Sequence, residues 1–175
     1  MNRRLGFVAG VICVITLLAG CTPKPAPTPT ALFSSEAAAF KAAEQTYRAY
    51  VDALNKVDLS EPATFEDVYK WETGERLAGD KKALTDYHAR HASMTGTTKI
   101  ILLRPHRTNS AFSKATLAAC VDVSALQIRN ANGNSLISPD RPDVQSITIE
   151  VSAISDSESR FLVASVSGRS GDPEC

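Results

Sequence analysis

An excess of charge of either sign is what this 175-residue sequence lacks: 19 Lys and Arg stand against 19 Asp and Glu, for a formal net charge of zero. A nucleic-acid backbone recruits Lys and Arg in clustered excess, so no nucleic acid is expected as a partner. Long apolar runs are equally scarce. A single one, Leu5 to Leu18, lies at the N-terminus, which excludes a polytopic membrane protein. At 43% hydrophobic the chain is too apolar for a disordered one, and its length suits one globular domain. No Ser sits in a Gly-x-Ser-x-Gly elbow and no Gly-rich loop follows a strand, so triad and nucleotide chemistry lack support. His88 and His91 lie three apart and His106 sits in a turn between Arg104 and Arg107, without accompanying Cys or carboxylates. A solvated helix face accounts for the pair, and neither a metal nor a cofactor is expected.

What is present begins with an address. Asn2, Arg3 and Arg4 form a basic head before the apolar run, which is too short to span a bilayer comfortably and reads as a secretory signal. Leu18, Ala19, Gly20 and Cys21 end it, and this quartet resembles the lipobox of bacterial lipoproteins. The resemblance implies that residues 1–20 are removed and that Cys21 becomes an acylated N-terminus, with membrane lipid as its partner on the outer face of the cell membrane. An uncleaved signal anchor, or a signal cut elsewhere with Cys21 as an ordinary cysteine, are the alternatives. Arg3 and Arg4 also suggest a twin-arginine signal, but the rest of that pattern is missing. Loss of Arg3 and Arg4 leaves 17 basic against 19 acidic side chains, a mildly acidic mature chain. Residues 21–33 form the lipidated Cys and a stalk. Its alternation of Pro with Thr, Lys and Ala favours extended polyproline conformation at about 3.1 Å per residue.

Residues 34–175 read as the folded domain. From an N-cap at Ser34 or Ser35, Phe40, Ala43, Tyr47, Tyr50, Val51 and Leu54 recur at spacings of three and four, predicting a long amphipathic helix. Pro62 starts a shorter helix carrying Phe65, Val68 and Tyr69, with Trp71 beyond. Thr73 is placed to cap a third helix to about His91, its buried stripe being Leu77, Leu84 and Tyr87 or His88. After Gly96 the period becomes two. Strands are predicted at Lys99 to Arg104, Ala115 to Ile128, Val144 to Ile154 and Arg160 to Ser167. Leu117, Ala119, Val121, Ile147, Ile149, Val151, Phe161 and Val163 would face inward, and Asn132 with Gly133 would supply positive φ in a turn. Helices first and strands after predict an α+β fold, with helices on one face of an antiparallel sheet of about four strands.

That order resembles the cone of nuclear transport factor 2 (NTF2) and its relatives. More narrowly, Thr64-Phe65-Glu66-Asp67-Val68-Tyr69 with Thr73 and Gly74, then Ala119 to Ser124, resembles small lipoproteins of Gram-positive actinobacteria. The cone implies an open end where some relatives hold a small molecule, and relatives resembling ketosteroid isomerase place a carboxylate base and a Tyr there. Asp122, Asp52, Tyr47, Tyr50 and Trp71 are the material available; Tyr47, Tyr50 and Trp71 are the cone-lining candidates. Asp122 shares its face with Cys120 and Ser124, so it falls on the outer side of the sheet. No catalytic residue is assigned. The expected function is therefore a non-enzymatic domain binding an unknown envelope protein or small molecule. The alternatives are a ketosteroid-isomerase or polyketide-cyclase type of enzyme and an accessory subunit of an envelope complex. With Cys13 removed and Cys21 acylated, Cys120 and Cys175 remain, and in an exported domain such a pair usually forms a disulfide. Free thiols or an intermolecular bridge are the alternatives.

Cys21→Ala should release or mislocalise the protein, because acyl chains rather than polypeptide provide the anchor in the lipobox reading. Membrane fractionation checks it: a variant that stays bound through a carbonate wash is held by an uncleaved signal anchor instead.

Overall fold

Ser35 starts the long helix as an N-cap, its side chain accepting the Ala38 N–H at 3.1 Å, and α1 runs Glu36–Leu54. The face it buries is Ala39, Ala43, Tyr47, Tyr50 and Val51, at the three-and-four spacing of one stripe. The structure, a computed structural model, describes residues 31–154 and 160–175; the signal, Leu18 to Cys21 and most of the stalk lie outside the described residues. Among the described residues no helix is long and apolar enough to cross a membrane. Packing begins before residue 34, the expected boundary. Leu32 donates its N–H to the Ala111 carbonyl, and Phe33 stacks on Phe161 with ring centroids 4.8 Å apart. An aromatic ring at the end of the stalk buries apolar surface, which moves the start of the domain to residue 32.

A 3₁₀ turn at Pro62–Phe65 leads into the single turn α2, Glu66–Tyr69, and α3 then spans Gly74–Ala89. Thr73 precedes α3 but makes no side-chain cap. Its N–H is committed to the Val163 carbonyl at 2.9 Å, while the Val163 N–H donates to the Trp71 carbonyl at 2.8 Å. These two bonds clamp the α2–α3 junction to a sheet strand. His88 is not on a solvated face: it is half-buried against Phe65, and its Nδ1 donates to the Leu59 carbonyl at 2.8 Å.

The strands are β1 (Ser93–Thr95), β2 (Lys99–Thr108), β3 (Lys114–Asp122), β4 (Gln127–Arg129), β5 (Val144–Ala153) and β6 (Phe161–Gly168). Four of them form an antiparallel sheet in the order β2-β3-β5-β6, and β1 pairs with β4 in a separate ribbon. The predicted second strand is thus two. It breaks because Asp122 accepts both the N–H and the hydroxyl of Ser124, folding the chain into a turn that the Arg141 guanidinium secures through the Val123 and Leu126 carbonyls. In the turn after β4 only Gly133 takes positive φ, at 82°; Asn130, not Asn132, organises it by accepting the N–H groups of Asn132 and Asn134.

Leu117, Ala119, Val121, Ile147, Ile149, Val151, Phe161 and Val163 all lie buried on the inner face beneath α1 and α3. Register shifts along β2 and between β5 and β6 bend the sheet. Pro105 lies at one of these shifts, on the edge strand β2 where a missing N–H leaves no ladder bond unmade. This is the expected α+β arrangement, with helices on one face of an antiparallel sheet. One end is closed by the β2–β3 hairpin and the Phe33–Phe161 stack; Asp122, Val144 and Gly168 mark the other.

Cys120 and Cys175 form a disulfide with Cα atoms 5.6 Å apart, which pins the C-terminal tail to the outer face of β3. The tail has a second tether that the sequence reading missed. Arg169 donates to the carbonyls of Gly171, Asp172 and Pro173 and to Ser146 Oγ, and Pro173 is buried. Thiol labelling of denatured, unreduced protein should accordingly find Cys120 and Cys175 blocked. Cys175→Ser should lower the unfolding free energy by up to about 4 kcal/mol, the loop-entropy limit, as read from denaturant titration.

Candidate functional site

Tyr50 on α1 and three charged residues around the start of α3 converge inside the cone. Arg76 and Asp80 are four apart on α3 and share one helical face, while Glu72 lies in the extended junction just before the helix, bridged to Val163; the Val163 clamp brings all three toward the sheet. The Tyr50 hydroxyl donates to Asp80 Oδ2 at 2.8 Å. Arg76 Nε donates to the same oxygen at 3.0 Å, and Arg76 Nη2 pairs with Asp80 Oδ1, so the guanidinium meets Asp80 side-on. Arg76 Nε also lies 3.4 Å from Glu72 Oε1, and the guanidinium stands 5.8 Å from the centre of the Tyr50 ring. The Tyr47 ring lies 6.0 Å further on.

Burial makes this arrangement costly unless it is nearly complete. Glu72 is 3% exposed and Asp80 5%. Asp80 has two donors; Glu72 shares both Arg76 and the weaker influence of the Tyr50 hydroxyl, and its Oε2 is buried with no hydrogen-bond partner. Desolvation therefore pushes the Glu72 carboxyl up to about 7, against the opposing pull of Arg76. Burial likewise raises the Tyr47 and Tyr50 hydroxyls well above their ordinary value, so both stay neutral.

Arg76 is the member of this cluster that reaches a cavity. Beside it, at the end of the sheet away from the β2–β3 hairpin, lies a cavity of about 770 Å³, lined by Pro142, Val144, Ile147, Val166, Gly168 and Arg169 among others. Val166, Gly168 and Ile147 belong to the inner face, while Val144 and Ser146, in register with Asp122 and Cys120, belong to the outer one, so the cavity wraps the end of the sheet at the open end of the cone.

The structure spreads the sequence-derived candidates widely. Tyr47 and Tyr50 are buried in the cone, Tyr50 as a direct partner of Asp80. Trp71 is half-buried, and its part is played by its backbone carbonyl. Asp52 is exposed on α1. Asp122 lies on the outer face, where the Ser124 hydroxyl and N–H hold its carboxyl below the usual range. Cys120 and Cys175 are joined, and among the described residues no group of His, Cys, Asp and Glu could hold a metal ion. Glu72, Arg76 and Asp80 escaped the reading by apolar periodicity. The signal that could have found them is the Glu-x3-Arg-x3-Asp spacing itself.

No protein-family model matches the chain, and no curated protein matches it. A solved structure from Novosphingobium aromaticivorans, described as a "putative aromatic ring hydroxylase", overlaps 78% of this chain and 96% of its own, with a TM-score of 0.46 and 13% identity.

Glu72→Gln should stabilise the fold above pH 7. A raised carboxyl gives stability that is complete below the ordinary Glu range and is lost as pH rises through about 7. The wild-type melting temperature should fall across that window by several degrees, while that of the Gln variant stays flat; thermal melts at a series of pH values measure both.

Proposed function

We propose that the protein is a lipid-anchored binding protein on the outer face of the cell membrane, related to the small lipoproteins of Gram-positive actinobacteria, whose cone takes a small molecule at its open end. The lipobox at Leu18 to Cys21 and the Pro-rich stalk support the anchoring. The observation that carries the binding role is the 770 Å³ cavity, within the range of small-molecule sites, with Ile147 and Val166 as apolar lining on the inner face, polar Gln145, Ser146 and Ser167 around them, and a guanidinium fixed at one side. The closed end of the cone is filled by aliphatic and aromatic side chains, so the open end is where a ligand has room.

The ketosteroid-isomerase type of reading draws on one specific feature, the buried Glu72 with its raised carboxyl. A general base must come within hydrogen-bond reach of the proton it takes, directly or through one water. Arg76, not Glu72 or Asp80, lines the cavity. Binding is therefore the better-supported role.

Gly168 offers a test, because a side chain there would enter open space: a Cβ meets no atom within 4 Å and the backbone is not left-handed. In a thermal-shift screen of steroid-like, polyketide-like and fatty-acid-like compounds, at least one should raise the wild-type melting temperature by several degrees. Gly168→Phe should melt like the wild type alone and lose that response. A screen without a stabilising compound, or one whose compounds stabilise both proteins alike, overturns the proposal.

A further inference from the structure

The guanidinium at the cavity is only half used. Asp80 occupies the edge of Arg76 formed by Nε and Nη2, and the hydrogen bonds and ion pairs among the described residues leave Nη1 without a partner. The side chain is 27% exposed, and it lines the cavity. An Arg with one edge held side-on by a carboxylate still offers the end formed by its two Nη atoms, a fork that matches a second carboxylate. Arg169 also borders the cavity, but its guanidinium is turned to the outer face, where it holds Ser146 and the C-terminal tail. Its hydrogen bonds go to three carbonyls and a hydroxyl, so these neutral partners do not cancel its charge. Apolar Ile147 and Val166 and polar Gln145, Ser146 and Ser167 complete the surroundings.

We propose that the open end of the cone is a carboxylate site: the ligand is a small amphipathic acid whose carboxylate seats on the outward end of Arg76, and Glu72 takes up a proton as it binds. The inference rests on the binding role proposed above and names the ligand class for it.

The proton uptake follows from the charges around Glu72. Arg76 and Lys81 are the cations of α3 that act on it, with Asp80 the neighbouring anion; α1 presents the neutral Tyr47 and Tyr50, and β6 meets Glu72 through the apolar Val163. One guanidinium already serves two carboxylates. A third anion on Arg76 weakens its hold on Glu72, whose Oε2 has no other hydrogen bond to keep it ionised. Asp80 keeps the Tyr50 hydroxyl and the side-on pair, so its contacts are unchanged by the ligand. The ligand carboxylate stays ionised at neutral pH, which assigns the pH dependence to the protein.

Isothermal titration of the full chain with hexanoate, hexanamide and hexylamine tests both parts. Hexanoate should bind about tenfold or more tightly than hexanamide, and hexylamine should not bind saturably. Its affinity should rise about tenfold between about pH 8 and about pH 6, with proton uptake seen as a dependence of the heat on buffer ionisation. Glu72→Gln should keep hexanoate binding and abolish both the pH dependence and the uptake. Arg76→Lys, which preserves the charge beside Asp80 but loses the fork, should weaken hexanoate several-fold without unfolding the protein. Equal binding of acid and amide that Gly168→Phe abolishes would overturn the carboxylate site and keep the cavity. Hexanoate binding that survives Gly168→Phe would overturn the cavity role itself, while no binding by hexanoate, or an unchanged pH profile in Glu72→Gln, would overturn this inference.

Discussion

Two backbone hydrogen bonds at Val163 govern the interior of this protein. By donating to Trp71 and accepting from Thr73, the middle of β6 captures the junction between α2 and α3 as though it were a short parallel strand. The residue between those two partners is Glu72, and the capture forces its side chain into the core. A buried carboxylate then needs a cation within reach, and Arg76 stands four residues further along, in the first turn of α3. Arg76 in turn is held from the other side by Asp80, which leans on Tyr50 of α1. The clamp thus couples the sheet, the third helix and the first helix through one polar cluster.

That cluster divides the cone into two regions with different physics. Toward the β2–β3 hairpin the space is filled: Phe161, Leu117, Ile149, Val151 and Val163 are almost wholly buried, each such side chain contributing about 1.5 to 3 kcal/mol. Toward Gly168 the packing stops and a cavity begins, with Arg76 at the boundary. The filled end anchors the sheet, and at the open end Asp80 on the same helix holds the Arg76 guanidinium in place. The outer face has its own closure, since the disulfide and Arg169 together lay the C-terminal tail across Cys120 and Ser146.

Apolar periodicity and local turn chemistry carried much of the fold in the sequence. The stripe from Ala43 to Val51 and the Ser35 cap are local signals, and a helix needs little else to be recognised. The alternation through Leu117, Ala119 and Val121 likewise set which side of β3 is buried, and with it the outer position of Asp122 and Cys120. The end of β3 was misread because Val123, Leu126 and Ile128 continue to look like strand. Only the Asp122 side chain, closing on Ser124, shows where the chain turns away.

Sequence by itself therefore determined the helices-then-strands order, the inner face of the sheet, the disulfide pair and the burial of Tyr47 and Tyr50. These depend on the spacing of apolar residues and on cysteine number, both properties of the linear chain. Tertiary structure alone decided the site. Arg76 and Asp80 look like the solvated face of a helix, and Glu72 like a loop residue before it, until Val163 turns them inward. The orientation of a helix about its axis is set by what its flanking backbone bonds to, and here that partner lies some ninety residues away, on β6.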